Sequence, residues 1–188
     1  MKKGLIVIVA VVAVIAIIGG SLVSTYNGLV DKQANVENAD AQIQVQLQRR
    51  ADLIPNLVNT VKAYASHEED VYTALADART KLNSASNPEE YKEATDSFDS
   101  ALSRLLVVVE NYPELKADKN FVALQDELAG TENRLSTARK DYNDVATDYN
   151  ASIRKFPTVI FAGMLGFEKA DLFEASSESQ TVPTVNFD

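Results

Sequence analysis

The run LIVIVAVVAVIAIIGGSLV, Leu5 to Val23, carries no charge over nineteen residues, and that limits what the N-terminal end of this chain can be. As a helix it would be about 28 Å long, close to the hydrocarbon thickness of a bilayer. A core helix of a soluble domain needs a polar face, and this run has none. A transmembrane anchor at 5–23 is therefore expected, preceded by a short cytoplasmic stretch at 1–4. A cleaved signal peptide is the rival reading. Lys2 and Lys3 would be its basic region and Gly19-Gly20-Ser21 a small-residue cleavage site. However, the apolar run continues through Leu22 and Val23. The two lysines ahead of the run, with no basic cluster just behind it, place the N-terminus inside and the rest outside the membrane.

Beyond residue 23 the chain reads as helix. Glycine (7) and proline (5) are scarce, so few positions suit tight turns. In a first segment, 26–50, Leu29, Val36 and Ile43 lie seven apart, with Leu47 next on the same stripe. A second segment starts near Asp52, which can act as N-cap and puts Pro55 at the third helical position, where its missing N–H does no harm. Its seam is Leu57, Val61, Tyr64, Glu68, Val71, Leu75, Ala78 and Leu82. The third opens at Asn87-Pro88-Glu89-Glu90, with Asn87 as cap and Glu90 as the return partner of a capping box. Its seam is Tyr91, Ala94, Phe98, Ala101, Leu105, Val108 and Tyr112, and Pro113 stops it. The fourth is capped by Asp118, with Phe121, Leu124, Leu128, Thr131, Leu135, Ala138, Tyr142, Val145 and Tyr149 on the seam.

Each segment has one apolar stripe, and none could bury it alone. The fold class expected is all-α: an N-terminal transmembrane helix, then an antiparallel bundle of about four long helices over 24–175. The join at Ala51-Asp52 is the weak point, since the first two helices could instead run on as one kinked rod. Residues 176–188 read as a disordered polar tail.

Charge and composition exclude several functions. With 18 basic against 27 acidic residues the net charge is −9, which repels phosphate backbones and argues against nucleic-acid binding. The absence of cysteine rules out disulfides, thiol catalysis and cysteine zinc sites. His67-Glu68-Glu69-Asp70 holds the sole histidine, but a metalloprotease helix needs a second histidine at position 71, which is Val. Glu68 falls on the seam and is expected to pair inside the bundle with Arg134 or Arg139. Arg49 and Arg50, with Asp52, read as charges at a helix junction. A fork for a partner carboxylate or lipid phosphate is the alternative. Asp141-Tyr142-Asn143 recurs as Asp148-Tyr149-Asn150. The tyrosines fit the seam, and Asn143 and Asn150 are expected to hydrogen-bond between helices. Gly130 suggests a bend or a close helix approach.

The segment FPTVIFAGMLGF, 156–167, is uncharged and too short to span. An antiparallel bundle returns it to the bilayer surface. There Phe161, Met164 and Phe167 could enter the interface or a neighbouring protomer, or fold back as a plug.

Four stretches resemble the LemA family: YNGLV (26–30), QVQLQRRADLIPNLVNTVKAYASHE (44–68), YPELKADKNFVALQDELAGTENRLSTARKDYNDVATDYN (112–150) and FPTVIFAGMLGFEKADLFEA (156–175). The likeness covers 26–175 and leaves out the QTVPTVNFD tail. It implies a bacterial membrane protein with one N-terminal span and a helical bundle, no established enzymatic activity, and genes often found near membrane or envelope proteases. The expected function is a non-enzymatic, membrane-anchored interaction or scaffold module of the cell envelope. It would need no cofactor or metal. Its expected partners are the lipid bilayer, further copies of itself, and envelope or protease proteins. A ligand-sensing domain with a polar site near Glu68 and Thr131 is the alternative, and an enzyme a distant third.

Overall fold

Burial in the computed structural model tracks the seam periodicity, with instructive exceptions. The structure describes residues 2–174, apart from the side chains of residues 2, 3 and 5–7, so the tail expected at 176–188 lies outside it. The elements are α1 (Lys2–Lys62), α2 (Glu69–Ser84), α3 (Pro88–Glu110), the single turn α4 (Pro113–Lys116) and α5 (Lys119–Arg154). Two short 3-10 turns come after α5, Thr158–Ile160 and Gly163–Leu165. No strand occurs among the described residues. The chain forms two compact units, Met1–Ala39 with Asp144–Ala170, and Asp40–Asn143 with Asp171–Asp188. Helices α1 and α5 contribute to both.

In the second unit, α1 contributes Ile43, Leu47, Ala51, Ile54, Leu57 and Val61 to the core, all 2% exposed or less. Its partners are Leu75, Ala78 and Leu82 of α2, Tyr91, Phe98 and Leu105 of α3, and Phe121, Leu128 and Leu135 of α5. The polar pairs fix the helix directions. Gln46 meets Arg134, Arg49 meets Glu127 and Tyr64 meets Asp118, so α5 runs antiparallel to α1. Gln44 meets Tyr91 and Arg50 meets Asp99, so α3 runs parallel to α1. The unit is an up-down-up-down bundle.

The expected break at Ala51-Asp52 does not occur. α1 continues through Pro55 to Lys62, and Asp52 is an exposed mid-helix residue that accepts a hydrogen bond from Gln48 Nε2 at 2.8 Å. An interior proline costs about 3 kcal/mol. Keeping the helix whole buries Ile54, Leu57 and Val61, each worth about 1.5–3 kcal/mol, and that outweighs the loss. The reversal falls instead at 63–68, inside the predicted second helix. Ala65 N–H donates to Val61 O at 2.9 Å, and the Tyr72 hydroxyl donates to Ala65 O, which ties the corner to α2. Glu69 and Asp70 occupy the first turn of α2, where the helix dipole favours acids.

The α3 and α5 starts match expectation closely. Asn87 Oδ1 accepts from Glu90 N–H at 3.0 Å with Pro88 first in the helix. Glu90 Oε2 reaches back to Ser86 rather than to the cap residue, taking its N–H at 2.8 Å and its hydroxyl at 2.9 Å. Those bonds, the Ser86 hydroxyl foremost, hold the Glu90 carboxyl below the usual range. Asp118 Oδ1 accepts from Asn120 and Phe121 N–H at 2.8 and 3.0 Å. Its carboxyl is likewise held low, chiefly by the Phe121 amide. Late in each of these helices the buried stripe moves by one residue, to Val109 instead of Val108 and to Ala146 instead of Val145. A straight helix of 3.6 residues per turn drifts off a strict seven-residue repeat, and a four-residue step restores the seam.

The first unit is organised differently. Ile8, Val12, Ile15, Ile17 and Val23 of α1 are 59–72% exposed, and no residue of the apolar window is buried. Further along, Leu29 and Val36 are buried with Ala146, Tyr149 and Ile153 of α5. Lys32 and Asp148 form an ion pair. Ala162 and Phe167 fold inward, and the Phe167 ring meets Tyr26 edge-on at 5.6 Å.

Candidate functional site

The polar centre of the second unit is built on Arg50. Because α1 does not stop at residue 50, Arg50 falls in the seam between Leu47 and Ile54, and its side chain is only 3% exposed. A buried guanidinium must be matched by charge and hydrogen bonds. Its Nη2 donates to Asp99 Oδ1 of α3 at 2.8 Å, and its Nη1 lies 2.7 Å from Glu132 Oε2 of α5. That second contact is an ion pair whose N–H does not point squarely at the oxygen. The Phe98 ring covers the guanidinium at 4.5 Å, a cation–π contact.

Arg139 of α5 extends this centre. Its Nη2 donates to Thr95 Oγ1 at 2.7 Å, and the Thr95 hydroxyl in turn donates to Tyr91 O at 2.7 Å. Burial, with Glu132, Arg50 and the Asp99 and Asp96 carboxylates as further influences, leaves the Arg139 guanidinium less basic than usual. Nε of Arg50 and of Arg139 has no hydrogen-bond partner among the described residues. A cleft of about 280 Å³ opens beside Arg50, walled by Asp99, Leu102, Leu106, Leu128 and Glu132.

Beside it, the extended chain after the second 3-10 turn is strapped to α5. Asn143 pairs with both backbone groups of Phe173, each at 2.9 Å, and Tyr142 donates its hydroxyl to Asp171 O at 2.9 Å. The Phe173 ring stacks on Tyr91, meets Tyr142 edge-on, and lies 5.7 Å from the Arg139 guanidinium. Burial pushes the Tyr91 phenol up to about 12, so it stays protonated and donates to Asp40 Oδ2 at 3.1 Å. In the first unit, Asn150 makes the same double bond to Ala170, at 2.8 and 2.9 Å. The two asparagines therefore clamp main chain, where hydrogen bonds between helices were expected. Tyr149 is buried beside its clamp.

The remaining candidates sit elsewhere. Arg49 is exposed on α1 and pairs with Glu127 at 2.6 Å, a carboxylate it shares with Arg134. Arg49 and Arg50 are thus helix-interior residues and not a junction pair. His67 is exposed in the 63–68 corner, and Glu68 is half-buried there at the N-cap of α2, making no side-chain cap bond. Glu68 does not meet Arg134 or Arg139, whose partners are Glu127, Gln46 and Thr95. Thr131 is fully buried and donates to Leu128 O at 2.7 Å. At Gly130 an added Cβ would meet only the tip of Arg134, at 3.3 Å, so no neighbouring helix requires the glycine. Phe161 is half-buried, Met164 is 87% exposed and Phe167 is buried. Among the described residues, no three of His, Asp and Glu gather as a metal-ligand set. Sequence reasoning misses Asp99, Glu132 and Thr95 because the partner of a seam arginine is sought only once the arginine is placed on the seam.

Likeness to known proteins bears on identity. The family model described as LemA family matches residues 39–187, so the QTVPTVNFD tail, all but its last residue, lies within the likeness and not outside it. The chain is similar to the magnetosome protein MamQ 2 of Paramagnetospirillum magneticum, 26% identical, covering 94% of this chain and 74% of that protein. It is similar to the magnetosome protein MamQ of Magnetospirillum gryphiswaldense, 23% identical over 96% and 77%. It is also similar to protein LemA of Metamycoplasma hominis, 28% identical over 80% and 69%. With the family model covering most of its length, this helical chain belongs to the LemA family.

Proposed function

We propose that the chain is a membrane-anchored, non-enzymatic interaction module of the bacterial cell envelope that associates with copies of itself. The observation carrying this reading is the continuity of α1. One helix bears an uncharged apolar stem, exposed at every described position from Ile8 to Val23, and then supplies the central seam of a bundle. Apolar side chains so exposed need a lipid environment. The bundle's polar groups support a structural role: Arg50 is spent on Asp99 and Glu132, and Asn143 and Asn150 on main chain. The N-terminus faces the cytoplasm and the bundle the outside, in keeping with Lys2 and Lys3. Envelope or protease proteins are the partner class that the family likeness suggests. In-cell crosslinking of the full-length chain, with mass spectrometry of the products, tests this. Crosslinked homo-oligomers and a recurring envelope partner are expected, and a strictly monomeric chain that traps nothing contradicts it.

The cleft beside Arg50 favours a second reading, a ligand-sensing bundle with its polar site at Arg50 and Glu132 rather than at Glu68. A thermal-shift screen of small carboxylates and phosphates decides it. A stabilisation abolished by Arg50→Met supports sensing, and a blank screen removes it.

A further inference from the structure

We infer that the segment 156–165 is a second membrane contact, a wedge that enters the lipid leaflet beside the point where α1 leaves it. This rests on the reading of α1 as a membrane span.

Four observations in the first unit converge on it. The segment presents its large apolar side chains outward: Phe156 is 81% exposed, Met164 87%, Ile160 64% and Val159 52%. The smaller or anchoring residues, Thr158, Ala162 and Phe167, are the buried ones. A water-facing loop would be expected to show the reverse.

The segment also sits at the level of the stem's end. Leu22, Val23 and Tyr26 of α1 and Phe161 and Leu165 of the segment line one apolar groove of about 360 Å³. Leu22 and Val23 close the nineteen-residue run, and the first charge beyond it is Asp31. The groove is thus continuous with the surface that lipid would cover along the stem, and it lies where acyl chains give way to headgroups. Tyr26, packed on Phe167, is the residue type that favours that boundary.

The backbone suits a shallow site. Part of the backbone is bonded internally: the Val159, Ile160, Phe161, Ala162, Leu165, Gly166 and Phe167 N–H groups all donate within the segment or to Lys155. Lipid penalises unsatisfied backbone, so the remaining free groups confine the segment to the headgroup level, where water can reach them.

Charge marks the depth. The segment has none from Phe156 to Phe167, while the exposed Arg154 and Lys155 directly precede it. Basic side chains at that height can reach lipid phosphates while their stems lie along apolar surface. In a chain of net charge −9, such a pair offsets the repulsion from an anionic leaflet locally.

The occupant of the groove is therefore lipid acyl chain, and a second copy of the chain is the alternative that the experiment distinguishes. The chain contains no tryptophan, so one introduced indole reports without background. Full-length Phe156→Trp, Met164→Trp and Ile15→Trp are reconstituted separately into phosphatidylcholine–phosphatidylglycerol vesicles without bromine, with bromine on the acyl chain near the headgroup, or with bromine near the acyl-chain end, the last to reach the mid-span Ile15. All three positions are exposed, so the substitutions leave packing intact, and circular dichroism checks that helix is retained. The expected result is blue-shifted emission at 156 and 164 and loss of most of it in brominated lipid. Quenching at Ile15 with none at 156 and 164 overturns the wedge and leaves the span standing. Red-shifted emission in that case means water, and blue-shifted emission means a covering protein copy. No quenching at Ile15 overturns the span, and the wedge with it.

Discussion

The two units treat their side chains in opposite ways. The first leaves Ile17, Phe156 and Met164 more than two-thirds exposed, whereas the second buries a guanidinium to 3% and supplies two carboxylates to meet it. Apolar surface left open is stable only against an apolar medium, and buried charge is tolerable only where the protein supplies the counter-charge. The contrast teaches that one chain, whose first helix contributes to both units, handles apolar surface and charge by opposite rules, which is what the proposed membrane anchor requires. The repeated tripeptide sharpens the point. Asp141-Tyr142-Asn143 and Asp148-Tyr149-Asn150 perform the same clamp on main chain, yet the second unit adds the Tyr142 hydroxyl and an aromatic seat for Phe173.

The largest expected effect lies at the polar centre. Asp99→Asn with Glu132→Gln leaves Arg50 buried without a counter-charge. Breaking a buried pair from one side costs about 3–5 kcal/mol, and the lower end applies because both carboxylates reach solvent. Arg50→Met should cost clearly less, since the two acids can turn to water. Thermal unfolding of the full chain in detergent measures both, and equal losses would mean that the guanidinium is not desolvated. The clamps come next. Asn143→Ala strands the N–H and C=O of Phe173 and should cost about 1–3 kcal/mol. Asn150→Ala falls in the same range, and protease sensitivity of the chain after residue 168 should rise in both variants. An unchanged midpoint for either would show that its clamp carries no stability. Gly130→Ala acts in the other direction. It should stabilise α5 by about 0.5–1 kcal/mol, provided Arg134 shifts from its 3.3 Å contact, and a loss would reveal a tighter site.

The smallest effect is electrostatic. The Glu90 and Asp118 carboxyls are depressed in the folded chain, by Ser86 and by the Phe121 amide respectively. A depressed acid contributes stability above its unfolded pKa and loses it as pH falls through its folded pKa. The midpoint should therefore decline below the ordinary carboxylate range. Glu90→Gln should lower stability at neutral pH and flatten that decline, and an unaltered slope would contradict the cap geometry.

Much of the architecture is legible in the sequence because it rests on local rules. Asn87 and Asp118 announce helix starts through side chains that must satisfy orphan amides, and each does so in the structure. The corner is misplaced by sequence because Pro55 is a strong local signal and Ala63-Tyr64-Ala65-Ser66 a weak one. The burial of Ile54, Leu57 and Val61 decides between them. The acids at 68–70, weighed as a metal site, are a helix-start signal. With a break at residue 51, Arg50 looks terminal and its partners cannot be sought. The clamps are not legible at all. An asparagine's choice between a neighbouring helix and irregular main chain depends on where residues 170–173 run, and helical periodicity says nothing about that.

Membranes from cells producing the full-length chain, washed with alkaline carbonate, test the central claim most directly. That claim is that the exposed stem at the start of α1 lies in a bilayer. The account predicts that the chain stays in the membrane pellet through the wash and leaves it only with detergent. Release of the intact, full-length chain into the carbonate supernatant would contradict it.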